Sequence, residues 1–286
     1  MPEQVSGAGR ESFGSRLGAA MAARGPLCVG IDPHPSLLAG WGLNDDVEGL
    51  RAFSLTVLDA VASLAAAVKP QVALYERHGS AGMAVLEEVL AIARDEAVLT
   101  IADAKRGDIG STMAAYADAW LRDGSPLAAD SVTLSPYLGF ESLRPALDLA
   151  AETGRGVFVL ALTSNPEGAS VQHVGGADSV ARRIALAAGG ENRRYPGGLG
   201  SVGLVVGATV GSALADLDMD LAAMRGPILA PGLGAQGATP AHLRATFGSA
   251  YPQVLGTSSR EILSAGPQPR AVREAAQRTL DGLRGE

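Results

Sequence analysis

The most specific chemical signal in the chain is the segment Asp103-Ala104-Lys105-Arg106-Gly107-Asp108, which follows an apolar run. Asp103 and Lys105 are two residues apart, so at the end of a strand both side chains point to the same side. Gly107 permits a sharp turn, after which Asp108 need not point into the same pocket. A carboxylate and an ammonium in one small volume indicate catalysis, because burying such charges for stability alone is costly.

Two further charged residues belong to neighbouring predicted strands. Asp32 closes the first apolar run and Lys69 lies in the second, so with Asp103 and Lys105 they would form an alternating network of charges. At ~4 Å and an effective dielectric constant of about 20, each opposite pair is worth on the order of 4 kcal/mol. That attraction is enough to keep both lysines protonated, so we expect Lys105 to act as a fixed proton donor.

A phosphate site is predicted near the end of the chain. The loops Pro231-Gly232-Leu233-Gly234-Ala235-Gln236-Gly237 and Gly256-Thr257-Ser258-Ser259-Arg260 follow the last two predicted strands. Glycines such as Gly234 and Gly237 let backbone N–H groups approach an oxyanion, and Arg260 supplies a two-pronged countercharge. The first loop also matches G-x-G-x-x-G, but no long βαβ unit follows it, so we reject a dinucleotide site.

The elements that must position these residues alternate between short β-branched runs and longer alanine-rich segments. This alternation is typical of repeated βα units, and eight parallel strands close into a TIM (β/α)8 barrel more readily than into an open doubly wound sheet. We predict an N-terminal arm and helix over residues 1–25, with the helix at 13–24, and a single barrel domain over 26–286. The predicted strands are 27–32, 68–74, 98–103, 131–134, 157–162, 202–206, 228–230 and 253–255. The predicted helices are 51–67, 81–93, 111–121 with Ser111 as N-cap, 141–151, 178–188, 210–223, 240–246 and 270–283.

Composition excludes several classes of protein. The 286 residues carry a net charge of −7, which disfavours binding to nucleic acid or to anionic membranes by bulk attraction. No segment is typical of a signal peptide or a membrane span. The single cysteine, Cys28, excludes internal disulfides, and the scattered histidines show no metal-binding spacing. We therefore expect a cytoplasmic protein without a metal site.

The motifs, taken in order, resemble the orotidine 5′-phosphate decarboxylase family from about Leu27 to the end. The resemblance is carried by the Asp-Pro at 32–33, the Lys-Pro-Gln at 69–71, the D-x-K-x-x-D core at 103–108, the P-G-L-G-A-Q-G loop and the Ser-Ser-Arg at 258–260. Within that family, the chain is similar to the branch with larger bacterial enzymes. Three features carry this similarity, namely the chain length, the D-A-K-R-G-D-I-G-S-T form of the core motif and the S-N-P-E-G loop.

This resemblance implies conversion of orotidine 5′-phosphate to UMP and carbon dioxide, in pyrimidine biosynthesis, without any cofactor. It also implies a homodimer whose two active sites are shared across the interface. At the reacting centre, the resemblance implies that Lys105 protonates C6 and that Asp103 lies beside the substrate carboxylate.

The other implied roles concern substrate binding. Asp32 and Lys69 would contact the ribose, and Asp108 and Thr112 would enter the active site of the neighbouring subunit. Ser164 would contact the pyrimidine, Gln236 would bridge base and phosphate, and Arg260 would clamp the phosphate.

Two other hypotheses remain open at this point. A metal-dependent sugar-phosphate decarboxylase of the same superfamily would share D-x-K-x-x-D, but those relatives carry a carboxylate where this chain has Lys69. A catalytically silent nucleotide-binding barrel is disfavoured by the complete set of charges. The stretch Gly189 to Gly200, predicted to be a loop, belongs to an insertion relative to the compact members of the family.

Overall fold

The computed structural model describes residues 10–195, 197–234 and 237–285. Eight parallel strands form a closed barrel in which each strand pairs with the next along the chain, and the last pairs with the first. The fold is therefore the predicted TIM barrel. The strands are β1 (Leu27–Ile31), β2 (Ala67–Pro70), β3 (Leu99–Arg106), β4 (Ser131–Leu134), β5 (Gly156–Leu162), β6 (Val202–Val206), β7 (Ile228–Pro231) and β8 (Val254–Ser258).

The helices form the outer layer. They are α1 (Phe13–Arg24), α2 (Pro35–Gly40), α3 (Val47–Val61), α4 (Ala73–Glu76), α5 (Gly79–Asp95), α6 (Gly110–Leu121), α7 (Arg144–Glu152), α8 (Ala169–Gln172), α9 (Val180–Asn192), α10 (Ala213–Asp216), α11 (Leu221–Met224), α12 (Pro240–Phe247), α13 (Arg260–Leu263) and α14 (Pro269–Arg284). Among the described residues, 3₁₀ turns lie at Phe140–Leu143, Pro166–Gly168, Gly176–Asp178 and Gly248–Gln253. In the part of the chain that the structure describes, no helix is long and apolar enough to cross a membrane.

Helix α1 closes the amino-terminal end of the barrel. Ser12 caps it by accepting a hydrogen bond from the N–H of Ser15. Phe13 packs edge-on against Phe158 of β5, with ring centroids 5.9 Å apart, and both belong to the buried cluster inside the barrel. Gly156 leaves room for this contact, because a Cβ there would lie 2.1 Å from the Phe13 ring. The packing of α1 thus covers the apolar interior at the amino-terminal end of the barrel.

Several predicted boundaries were wrong for identifiable reasons. β2 ends at Pro70 instead of residue 74, because the chain turns into α4 three residues later. The helix predicted over 210–223 is two short helices, interrupted where Asp218 adopts a left-handed conformation (φ +50°) and Asp220 caps α11. α6 begins at Gly110 with Ile109 as its N-cap, so Ser111 is already helical. The predicted loop at 189–200 is helical as far as Asn192.

Candidate active site

A cavity of about 360 Å³ opens at the carboxyl ends of the strands. Its floor is apolar and includes Leu160, Val205 and Leu229 from three successive strands. Its walls carry charged and polar side chains contributed by the other strands and the loops that follow them, among them Asp32, Lys69, Gln71, Asp103, Lys105 and Arg260. A polar rim over an apolar floor is typical of a small-molecule site.

Asp103 is the centre of the charged network. One carboxylate oxygen, Oδ2, accepts hydrogen bonds from Lys69 Nζ at 2.7 Å and from Gln71 Nε2 at 2.9 Å. The other, Oδ1, accepts from Lys105 Nζ at 2.6 Å and from Thr133 Oγ1 at 2.9 Å. Four donors on one buried carboxylate fix its orientation and its charge.

The two charge types stabilise each other's ionised form. Burial alone would raise the pKa of Asp103, but attraction by Lys69 and Lys105 and the hydrogen bonds that they donate outweigh it, so the pKa lies well below its usual range. Burial alone would lower the pKa of Lys69, yet the carboxylates of Asp103 and Asp32 raise it above its usual range. Both groups are therefore charged at neutral pH.

One carboxylate oxygen of Asp32 is hydrogen-bonded, and the other is not. Ser259 Oγ donates a hydrogen bond to Oδ2 at 2.5 Å, and Lys69 Nζ lies 4.0 Å from Oδ1. Among the described residues, Oδ1 is buried and accepts no hydrogen bond. Since buried polar atoms are nearly always paired, this oxygen is a candidate acceptor for a hydrogen bond from a ligand.

Lys105 differs from Lys69 in exposure and in backbone conformation. Its side chain is 45% exposed, against 6% for Lys69, so its ammonium is open to the cavity while bonded to Asp103. Its φ is +50°, a left-handed value that is uncommon for a residue other than glycine. β3 was predicted to end at residue 103, but it continues through Lys105 to Arg106.

The predicted phosphate loops are only partly directed at the cavity. Arg260 lines the cavity together with Gly232 and Leu233, and no ion pair to its guanidinium is seen among the described residues. Gly234 and Gly237 line an adjacent groove, where the N–H of Gly234 donates to Ala238 and that of Gly237 to Gly234. Both N–H groups are engaged within the loop in this conformation, so their role in binding phosphate stays a prediction.

Three other predicted residues do not line the cavity. Asp108 is half-buried and accepts a hydrogen bond from the N–H of Ile109, and Thr112 is exposed on α6. Neither lines the cavity of its own chain. Ser164 is exposed just beyond β5, next to Thr163, which does line it. Gln236 lies outside the described residues.

Three residues that hydrogen-bond to Asp103 or Asp32 were not singled out from the sequence, although two of them stand inside recognised motifs. Gln71 follows Lys69 by two residues, which places both at the same strand end, and Ser259 directly precedes Arg260. Their positions beside charged residues at strand ends were the available signal. Thr133 carried no such signal, because a threonine inside a short β-branched strand is ordinary β-sheet composition.

The histidines, the acidic side chains and the single cysteine, Cys28, are the candidate ligands for a metal. Within the described ranges, no three His, Cys, Asp or Glu side chains converge as a metal-binding group. Cys28 is buried inside β1, and burial raises the pKa of its thiol to about 12, which is the behaviour of a structural core residue.

The fold and the site together define a (β/α)8-barrel enzyme whose charged cluster lies at the carboxyl ends of its strands. The model of the orotidine 5′-phosphate decarboxylase / HUMPS family matches residues 25–275. The chain belongs to this family, and it is a carboxy-lyase.

Individual relatives agree with this assignment. The chain is 57% identical over 277 residues to orotidine 5′-phosphate decarboxylase of Salinispora arenicola, covering 96% of this chain and 98% of that protein. It is 55% identical over 270 residues to the Streptomyces coelicolor enzyme of the same name, covering 94% and 95%. The crystal structure of a Streptomyces avermitilis protein provisionally given that name superposes with a TM-score of 0.93 at 54% identity, covering 99% of each chain. The Leishmania donovani OMP decarboxylase superposes with a TM-score of 0.76 at 30% identity, covering 96% and 98%.

Proposed function

We propose that the cavity at the carboxyl ends of the strands binds orotidine 5′-phosphate and converts it to UMP and carbon dioxide, with no metal or organic cofactor. The observation that carries this proposal is the Lys69–Asp103–Lys105 cluster, in which a buried carboxylate holds a half-exposed ammonium at the cavity wall. Curated relatives above 50% identity bear the same activity in their names.

In the chemical step, the bond between C6 and the carboxylate breaks, and its electron pair stays on C6 as carbon dioxide leaves. No adjacent π system spreads this charge, so the field of the protein must stabilise it. The Lys105 ammonium supplies that field and then transfers one proton from Nζ to C6, giving UMP. Its orientation is set in advance by Asp103, so little reorganisation is needed during the reaction.

Groups distant from the breaking bond would hold the substrate. We assign a ribose hydroxyl to the unpaired Oδ1 of Asp32 beside Lys69, and the phosphate to Arg260, with Gly234 and Gly237 in its loop. As predicted from the sequence, we assign Ser164 to the pyrimidine base, and Gln236 to both the base and the phosphate. Binding energy from these contacts can be used to place C6 against Lys105.

The proposed enzyme is a homodimer with shared active sites. Neither Asp108 nor Thr112 lines the cavity of its own chain, and Ile109, next to Asp108 in the sequence, is 61% exposed. Tyr137 and Leu138, which follow β4, are 80% and 54% exposed. Apolar groups at such exposure indicate a contact surface, and a second copy placed there would receive Asp108 and Thr112. The single cysteine agrees with a reducing cytoplasm as the place of action.

The test is an absorbance assay of orotidine 5′-phosphate turnover by protein treated with a chelator. We expect full turnover with chelator present, and a fall in kcat of at least about 10³-fold for Lys105→Ala, because the proton donor and the local field are lost together. UMP binding by the variant should remain measurable. Turnover that depends on added Mg²⁺ would favour the sugar-phosphate decarboxylase hypothesis, and absence of turnover by the wild type would refute the proposal.

A further inference from the structure

The ladder between β3 and β4 is irregular at the active site. Ala102 pairs with Val132 and Arg106 pairs with Leu134, so three residues of β3, namely Asp103, Ala104 and Lys105, lie opposite the single residue Thr133. The surplus residues form a bulge, which takes backbone groups out of the regular ladder. The left-handed conformation of Lys105 lies within this bulge.

Thr133 provides a hydrogen-bond partner for the backbone N–H of Lys105, which the bulge removes from the regular ladder. Its side-chain oxygen accepts a hydrogen bond from the backbone N–H of Lys105 at 2.9 Å, in place of a carbonyl of the neighbouring strand. The same hydroxyl donates to Asp103 Oδ1 at 2.9 Å. Because a hydroxyl has one proton and an ionised carboxylate can only accept, the direction of both bonds is determined.

The two hydrogen bonds of Thr133 act on Lys105 at its backbone and, through Asp103, at its ammonium group. Asp103 Oδ1, which Thr133 holds, is also the oxygen that accepts from Lys105 Nζ at 2.6 Å. Thr133 therefore restrains the backbone of Lys105 directly and its ammonium through Asp103. Thr133 itself is fully buried and does not line the cavity, so it is not placed to touch a substrate.

We propose that Thr133 is a positioning residue, which locks the β3 bulge and thereby places the Lys105 ammonium for proton transfer. This inference rests on the proposed function. A displacement of the ammonium affects the chemical step more than substrate binding, because the contacts proposed for ribose and phosphate come from other strands. The expected signature is thus a loss in kcat with little change in KM.

The test compares Thr133→Val, which keeps the shape and removes the hydroxyl, with Thr133→Ser, which keeps the hydroxyl. We expect kcat to fall on the order of 10- to 100-fold in the valine variant and to return to within roughly threefold of wild type in the serine variant, with KM changed less than kcat in both. Thr133→Ala is the second variant without a hydroxyl, should valine prevent folding. Ser131→Ala is the matched control, since its Oγ lies buried on the same strand with no hydrogen-bond partner among the described residues.

The outcomes separate the two proposals. A wild-type protein without turnover refutes the proposed function. If the wild type is active and the variants without a hydroxyl keep a kcat within about twofold of it, the role of Thr133 is overturned. The role is also overturned if the serine variant is as impaired as the valine variant. Equal losses in Ser131→Ala would likewise overturn it, because the effect would then come from the strand and not from this hydroxyl.

Discussion

Asp103 shows how one residue links stability to catalysis. It is buried, it accepts four hydrogen bonds, and it separates two lysines that would otherwise repel each other. Removing one member of such a buried group leaves uncompensated charge, which typically costs about 3–5 kcal/mol. The carboxylate is therefore required both by the proton donor beside it and by the folded state.

The depressed pKa of Asp103 predicts a specific pH dependence of stability. A carboxyl group whose pKa is lower in the folded protein stabilises the fold above its unfolded pKa of about 4, and this contribution is lost as the pH falls further toward the folded pKa. Asp103→Asn should thus lower the free energy of unfolding by about 3–5 kcal/mol at pH 7. The gap to wild type should narrow as the pH falls below about 4.

Urea denaturation of both proteins over a series of pH values measures this gap. Asp118→Asn serves as the control, because Asp118 pairs with Arg122 on the surface and such pairs contribute roughly 0–1 kcal/mol. A gap that stays constant from pH 7 to below pH 4 would contradict the low folded pKa of Asp103.

At the level of elements, the two ends of the barrel have different tasks. The amino-terminal end is plugged by α1, and its cluster includes Phe13, Leu17 and Phe158. The carboxyl end carries the charged cavity and the bulge in β3. This arrangement lets apolar packing contribute stability at one end, while the left-handed Lys105 and the buried Lys69–Asp103 pair lie at the other.

Phe13→Ala tests this separation. The variant loses the contact with Phe158 and leaves a cavity in the plug, so the free energy of unfolding should fall by about 3–5 kcal/mol. The kcat of the protein that remains folded should match wild type, since Phe13 lies at the end opposite the cavity. Leu186→Ala, at a 59% exposed position of α9, should change stability by less than about 0.5 kcal/mol. A parallel loss of kcat in Phe13→Ala would mean that the two ends are coupled.

For the whole molecule, the proposed shared sites lead to a complementation experiment. Lys105→Ala and Asp108→Ala should each be inactive alone, whereas hybrid dimers contain one site in which both residues are intact. If subunits pair at random in an equal mixture, activity should reach about a quarter of the wild-type value. Co-refolding of the two variants followed by the absorbance assay measures this recovery.

A second mixture gives the matched control. Lys105→Ala combined with Asp103→Ala should recover no activity, because each of these residues acts in the site of its own chain and every hybrid site lacks one of them. No recovery with Asp108→Ala would contradict a role of Asp108 across an interface. Recovery in this control would mean that the rescue does not depend on sites shared between subunits.

Local sequence determined the architecture and most of the charged cluster. The period of the βα units predicted eight strands, and all eight were found near the predicted positions. The carboxyl ends of parallel strands meet at one edge, so the sequence alone predicts that Asp32, Lys69, Asp103 and Lys105 belong to one site. Side-chain alternation also predicted that Asp103 and Lys105 meet, and they do.

The tertiary structure decided what alternation could not. Asp103 and Lys105 lie in a bulge, and the pair depends on Thr133 of the next strand, 28 residues beyond Lys105. Likewise, Ser259 bonds to Asp32 across 227 residues of chain. Strand periodicity reports which side of a strand a residue occupies, but bulges and hydrogen bonds between strands depend on register. Register is set by the packing of the closed barrel as a whole, which is why the supporting residues became visible only in three dimensions.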